Sequence, residues 1–149
     1  MKFIHNLIGG LAGAVALNII HEVARKLDPD APQVQLVGEE ALSKSIAALG
    51  GTPPKGDKLY AATLAGDLVS NALYFSMIGA GKKKSTLLRG AGYGLSAGLG
   101  ALKLTQPMGL NDAPITKTNK TAILTVSWYL IGGIVAALTI QALNRKNLA

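Results

Sequence analysis

The chain is 149 residues long, a single-domain length, yet 49% of it is apolar and only 15% charged, which with a mean hydropathy of +0.33 argues against a water-soluble globule. It has no cysteine, so disulfide staples, thiolate zinc sites and a cysteine nucleophile are excluded. The formal net charge of +7 does not point to nucleic acid, because the cations stand at the ends of apolar runs and do not gather on a polar domain.

In chain order, the first apolar run covers residues 3–24. Its start, with Ala14-Val15-Ala16 downstream, has the look of a secretory signal, but the retained Met1 predicts an uncleaved span. A polar stretch follows, punctuated by Asp28-Pro29-Asp30-Ala31-Pro32 and Gly50-Gly51-Thr52-Pro53-Pro54. Between these breakers, residues 37–49 place Leu42, Ile46 and Leu49 at helical spacing beside Glu39, Glu40 and Lys44. That pattern predicts an amphipathic helix that lies on the membrane surface or caps the bundle.

The second apolar run covers residues 59–80 and ends in the tight turn Gly81-Lys82-Lys83-Lys84-Ser85. The third, residues 86–104, is short and glycine-rich, with Arg89 and Lys103 expected to carry their charges to the interface; a tilted or re-entrant segment is the alternative. A loop with Pro107, Gly109 and Pro114 leads to the fourth run, residues 121–143. Each run is about the 17 to 25 residues that a helix needs to cross a bilayer. None shows the alternation of a barrel strand, and a span in lipid must satisfy its own backbone. The expected fold is an all-α membrane protein, a bundle of four transmembrane helices plus the surface helix, forming one integral membrane domain over residues 1–149.

Small residues predict where the helices pack. Gly9 and Gly13, the ridge Gly90, Gly94 and Gly98, and Gly132 with Ala136 are small-xxx-small patterns. The triple ridge predicts a central third helix. Leu7-Ile8-Gly9-Gly10 recurs as Leu130-Ile131-Gly132-Gly133, a match too short to establish an inverted repeat.

Asp67 lies roughly 12 Å into the second run, where an ionised carboxylate is costly. Counting from the loop that joins the first two runs puts Asn18, Ser96 and Trp128 near its depth, and Asn71 follows it at i+4. Asn18 and His21 share a face with Arg25, and Glu22 stands beside it. Asn18, His21, Glu22, Asp67, Asn71, Ser96 and Trp128 therefore form the candidate polar layer. In it, Asp67 and His21 exchange a proton while Asn18 and Asn71 coordinate an ion or polar solute; the bland counterpart is a set of hydrogen bonds that only hold the bundle.

Other motifs fail. The Gly79 to Ser85 segment lacks the first glycine and the hydroxyl residue of a phosphate loop, and the glycines around Tyr93 do not complete a dinucleotide fingerprint. Neither Ser96 nor Ser127 sits in a nucleophile elbow, and no cluster of ligands predicts a metal. The expectation is a non-enzyme without cofactor or metal. It is a structural or accessory membrane subunit, in a homo-oligomer or a larger membrane complex, or else a small proton- or ion-linked transporter or channel built around Asp67. Its partner is the lipid bilayer, and nucleic acid is not expected. The location expected is a bacterial inner membrane. Lys2, the lysine triplet, Arg89, Arg145 and Lys146, dense and without acids, favour cytoplasmic termini.

Overall fold

The computed structural model describes residues 2–145; Met1 and Lys146, used in two of the expectations above, lie outside the described residues. No strand occurs among the described residues. Six α-helices follow one another: α1 (Lys2–Leu27), α2 (Val34–Ala48), α3 (Asp57–Ser76), α4 (Thr86–Leu104), α5 (Ala113–Thr116) and α6 (Asn119–Arg145). Of these, α1 and α6 are long and apolar enough to cross a membrane.

Local chemistry sets the boundaries. α1 stops at Leu27 because Asp28 precedes Pro29 and is driven out of the helical region. α2 closes on two glycines. Gly50, at φ 80°, bonds back to the Ala47 carbonyl at 3.0 Å and Gly51 to that of Ile46 at 2.9 Å, the paired bonds of a left-handed C-cap. α3 runs into a 3-10 turn, Met77–Gly79. Arg89 secures the turn that follows, donating to the carbonyls of Ile78 at 2.8 Å and Lys82 at 3.0 Å. Arg89 is thereby folded back onto the turn at the end of the bundle. α6 opens with a reciprocal cap in which Thr121 N–H donates to Thr118 Oγ1 at 3.0 Å and Thr118 N–H to Thr121 Oγ1 at 3.3 Å.

The four long helices alternate in direction, with α1 and α6 side by side at the centre, α3 packed on α1, and α4 packed on α6. The expected central position of the third apolar run is thus corrected: α4 is an edge helix whose ridge glycines Gly90, Gly94 and Gly98 all serve one neighbour, α6. A methyl on Gly94 would lie 2.6 Å from the Tyr129 carbonyl oxygen, and one on Gly90 the same distance from that of Gly133. A single flat ridge permits one close approach, whereas a central helix needs two.

The recurring Leu-Ile-Gly-Gly meets that need. On α1, Gly13 faces α6, with a methyl there 2.5 Å from the Gly132 carbonyl oxygen, while Gly10 abuts the backbone of Ala72 and Ser76 on α3. On α6, Gly132 faces Gly13 and Leu17 of α1, and Gly133 abuts Gly90 and Gly94 of α4. Each double glycine marks a helix pressed between two others. The echo is a shared packing solution.

Both long connections lie at one end of the bundle and are knitted together. Gln33 N–H donates to the Pro114 carbonyl at 3.0 Å, Thr121 Oγ1 to that of Asp30 at 2.9 Å, and Asn111 N–H to Glu40 at 2.8 Å. Lys120 bridges Asp28 at 2.6 Å and Asp30 at 3.7 Å. α2 covers this end. It turns Val34, Val37, Gly38 and Ala41 toward the bundle; of the residues at helical spacing, Leu42 and Ile46 are half-buried, while Leu49 falls beyond the helix and is 88% exposed. Gly38 gives the reason, since a side chain there would strike Thr63 of α3, so α2 approaches by its small-residue face. At the opposite end, His5 and Asn144 are joined at 3.1 Å.

Candidate functional site

α3 and α4 meet through Tyr74 and Tyr93, whose rings are 5.2 Å apart and whose link is a hydrogen bond of 3.1 Å from the Tyr74 hydroxyl to the Tyr93 carbonyl. Toward the α2 end a cavity of about 420 Å³ lies between these two helices, with α1 and α6 as its other walls and α2 across its mouth. Val34, Val37, Ala41, Leu64, Met108 and Ile115 make most of that lining apolar, and a few polar groups converge on it. An apolar cleft with few, placed polar groups is the usual form of a small-molecule site.

Asp67 is the only carboxylate of α3 in this wall. Asn18 of α1 donates to its Oδ2 at 2.9 Å and Asn71 donates to its Oδ1 at 2.9 Å. Asn18 is itself oriented by a second bond, from the same amide nitrogen to the Ala14 carbonyl at 3.0 Å. Among the described residues, no Lys, Arg or His forms an ion pair with Asp67. The carboxylate is thus held by neutral donors, which fix its position without cancelling its charge.

His21 and Thr63 stand one helical turn closer to α2. His21 follows Asn18 at i+3 and Thr63 precedes Asp67 by four, so on antiparallel helices they face each other above the Asn18–Asp67 pair. They are 7% and 6% exposed. Among the described residues, neither His21 Nε2 nor Thr63 Oγ1 has a hydrogen-bond partner, an arrangement native interiors rarely tolerate without a purpose. The imidazole is fixed by aromatic packing, 5.1 Å from the Trp128 ring and 6.0 Å from that of Tyr129.

Four of the seven residues in the expected layer, Asn18, His21, Glu22 and Asp67, line this cavity; Asn71 bonds Asp67, and Trp128 backs His21. His21 and Asp67 share the chamber, and no direct hydrogen bond joins them among the described residues. Glu22 is committed elsewhere: Arg25 grips it at 3.0 Å and 2.7 Å, with the guanidinium 5.8 Å from the Tyr60 ring centroid. Ser96 does not line this chamber. It is exposed in a separate depression with Tyr74, Arg89 and Tyr93. Two residues from Gly94 and from Gly98 mean about 200° around the helix, so the face opposite the α6 contact carries it. Depth alone did not fix the direction in which it points.

The expected packing glycines Gly9, Gly13, Gly90, Gly94, Gly98 and Gly132 are all buried in helix interfaces. Thr63, Tyr60 and Tyr129 line the chamber without having been singled out from the sequence. Thr63 stands at i−4 from Asp67, a spacing that was available. No group of three or more metal-ligating side chains occurs among the described residues. The chain matches no protein-family model, no curated protein and no solved structure.

Proposed function

We propose that this chain is a four-span integral membrane protein that binds a small solute at Asp67 and works as a proton- or ion-linked transporter or a component of one. The membrane part of the reading is carried by the outer surface. Ile4, Ile8, Leu11, Val15, Ile19 and Val23 form one exposed stripe along α1, about 28 Å long at 1.5 Å per residue, close to the roughly 30 Å of a hydrocarbon core. Val69 and Leu73 on α3, Leu88, Leu95 and Leu99 on α4, and Ile123, Ile131 and Leu138 on α6 extend it around the bundle. Only 28% of the apolar window of α1 and 44% of that of α6 is buried, whereas a soluble core helix would be mostly enclosed. Small residues inside and large aliphatic ones outside suit lipid, where close backbone approach replaces hydrophobic drive.

The solute part rests on one observation: a carboxylate held by two amides, with no ion-paired cation among the described residues, opens on a chamber of about 420 Å³. An accessory subunit packed on a partner through glycine ridges draws less support, because those ridges are filled from within the chain. Thermal unfolding in detergent of the wild type and Asp67→Asn, each at pH 5 and pH 8, tests the reading. A mutant as stable as the wild type, with only the wild type responding to pH, is the expected result, since a functional carboxylate is kept at a stability cost. A mutant clearly less stable at both pH values makes Asp67 a structural partner and ends the solute reading.

A further inference from the structure

We propose that the chamber binds an amphipathic aliphatic amine, with its ammonium among Asp67, Thr63 and His21 and its hydrocarbon body beneath α2. This rests on the reading of Asp67 as a solute site and narrows it to one chemical class.

Three of the polar groups that line the chamber, Asp67, His21 and Thr63, are acceptors with capacity to spare. A carboxylate offers about four acceptor positions, and Asp67 uses one on each oxygen for Asn18 and Asn71. His21 Nε2 and Thr63 Oγ1 are buried one turn above and unpartnered among the described residues. An imidazole nitrogen and a hydroxyl both accept, and an ammonium has three N–H donors and no acceptor. One primary amine therefore serves all three groups and supplies the positive charge that Asp67 lacks. An anionic solute would meet the carboxylate as a like charge. A bare metal ion finds too few ligands, because no three-residue ligand group exists among the described residues. The Arg25 guanidinium is occupied by Glu22 and does not compete for Asp67.

The remainder of the wall selects the body. Val34, Val37 and Ala41 of α2, Leu64 of α3, and Met108 and Ile115 beyond α4 offer hydrocarbon. The volume falls within the usual range for small-ligand sites. A polar polyamine would leave its further nitrogens against these side chains without partners, whereas a single alkyl chain matches them.

The experiment uses the full chain in phosphatidylcholine nanodiscs, titrated with octylamine, with octanol and octanoate as controls of shape and ammonium chloride as a control of headgroup. The readouts are Tm and the emission of Trp128, the single tryptophan, whose ring lies 5.1 Å from that of His21. Octylamine is expected to raise Tm and change the emission saturably, octanol and octanoate to do neither, and Asp67→Asn to weaken the amine at least about tenfold. Thr63→Val provides a second arm that keeps the shape. It should leave the empty protein as stable or more stable, because an unpartnered hydroxyl is removed, while weakening octylamine about threefold or more. Adding phosphatidylethanolamine distinguishes the source: competition identifies a lipid amine headgroup, and its absence a free amine.

An octanol response equal to that of octylamine, or octanoate binding, overturns the proposal. If ammonium chloride acts as well as octylamine and depends on Asp67, the amphipathic class is wrong while the solute reading stands. If no cation acts in either the wild type or the mutant, both fall.

Discussion

Asn18 on α1 donates to Asp67 on α3 at 2.9 Å across the helix interface, and its other bond returns to Ala14 on its own helix, so one amide ties a carboxylate to a rigid backbone. Asn18→Ala removes that tie and leaves Asp67 with Asn71 alone. We expect a coupling energy between Asn18 and Asp67 of about 0.6 to 2 kcal/mol, the range of interhelical hydrogen bonds in membrane bundles. A double-mutant cycle of thermal or denaturant stability with Asn18→Ala and Asp67→Ala, which removes the acceptor, measures it. Additive effects would mean that the bond contributes nothing to the packing of α1 on α3.

Two glycines on α4, two residues apart, should respond in opposite ways. A side chain at Gly94 would meet the Tyr129 carbonyl oxygen at 2.6 Å and the Leu130 Cα at 2.7 Å, backbone that has nowhere to move. Gly92 has nothing within 4 Å of the same atom. Gly94→Ala is expected to destabilise by about 1 to 3 kcal/mol through overpacking of α4 on α6. Gly92→Ala should stabilise by about 0.5 to 1 kcal/mol, by relieving the conformational cost of glycine in a helix. Chemical unfolding of the two variants beside the wild type checks the sign, and equal behaviour would remove the glycine ridge as the basis of the α4–α6 contact.

These glycines show how far the sequence carries. Spacing identified the long helices to within a few residues at each end, because an apolar run bounded by proline, glycine and charge has few other forms. Spacing also found the small residues, but not which neighbour each would meet. Gly9-Gly10 and Gly132-Gly133 look alike in sequence, and only the packed bundle shows that the paired glycines press α1 and α6 between two helices each. The same limit applies to the site. Depth along a helix is a count of residues, and it brought Asn18 to Asp67 correctly. Direction around a helix depends on which face a neighbour occupies, and the count did not fix it for Ser96. The chamber itself was hidden because it is made by absence of contact, where α3 and α4 separate beneath α2.

The knot of charge at the α2 end predicts a pH window for the loops. Lys120 beside it, together with the Asp30 N–H, holds the Asp28 carboxyl below the usual carboxylate range. Asp28 in turn raises the Lys120 ammonium above its ordinary value. A depressed carboxyl stabilises the fold fully above its unfolded pKa of about 3.9, and the contribution disappears as pH falls through the lower folded value. A raised ammonium stabilises fully below its unfolded pKa of about 10.4, and the contribution disappears as pH rises through the higher folded value. Hydrogen-exchange protection in residues 28–33 and 111–121, the rate taken relative to the intrinsic rate at each pH, should therefore be greatest between these limits and fall in strong acid. Lys120→Ala should lower protection at neutral pH and flatten the acid limb; an unchanged profile would mean that the pair does not hold the loops together.

The distribution of charge gives a prediction about topology. Seven of the eight acidic residues stand at the α2 end, and Asp67 is the eighth; the opposite end carries Lys2, Lys82, Lys83, Lys84, Arg89 and Arg145 and no acid. With four spans, the two loops knitted by Gln33 and Pro114 lie on one side of the bilayer, and the α3–α4 turn lies with both helix termini on the other. The side rich in unaccompanied Lys and Arg should be the cytoplasmic one. A chain without cysteine makes the measurement direct, because single cysteines introduced at exposed Lys55 and Gln106, or at Lys2 and Lys82, can be labelled in intact cells with a membrane-impermeant maleimide. Lys55→Cys and Gln106→Cys should label from outside, and Lys2→Cys and Lys82→Cys only after permeabilisation. The reverse pattern would keep four spans and invert the orientation. Labelling that separates Lys55 from Gln106 would mean that α3 and α4 do not both cross, and the four-span reading would fall with it.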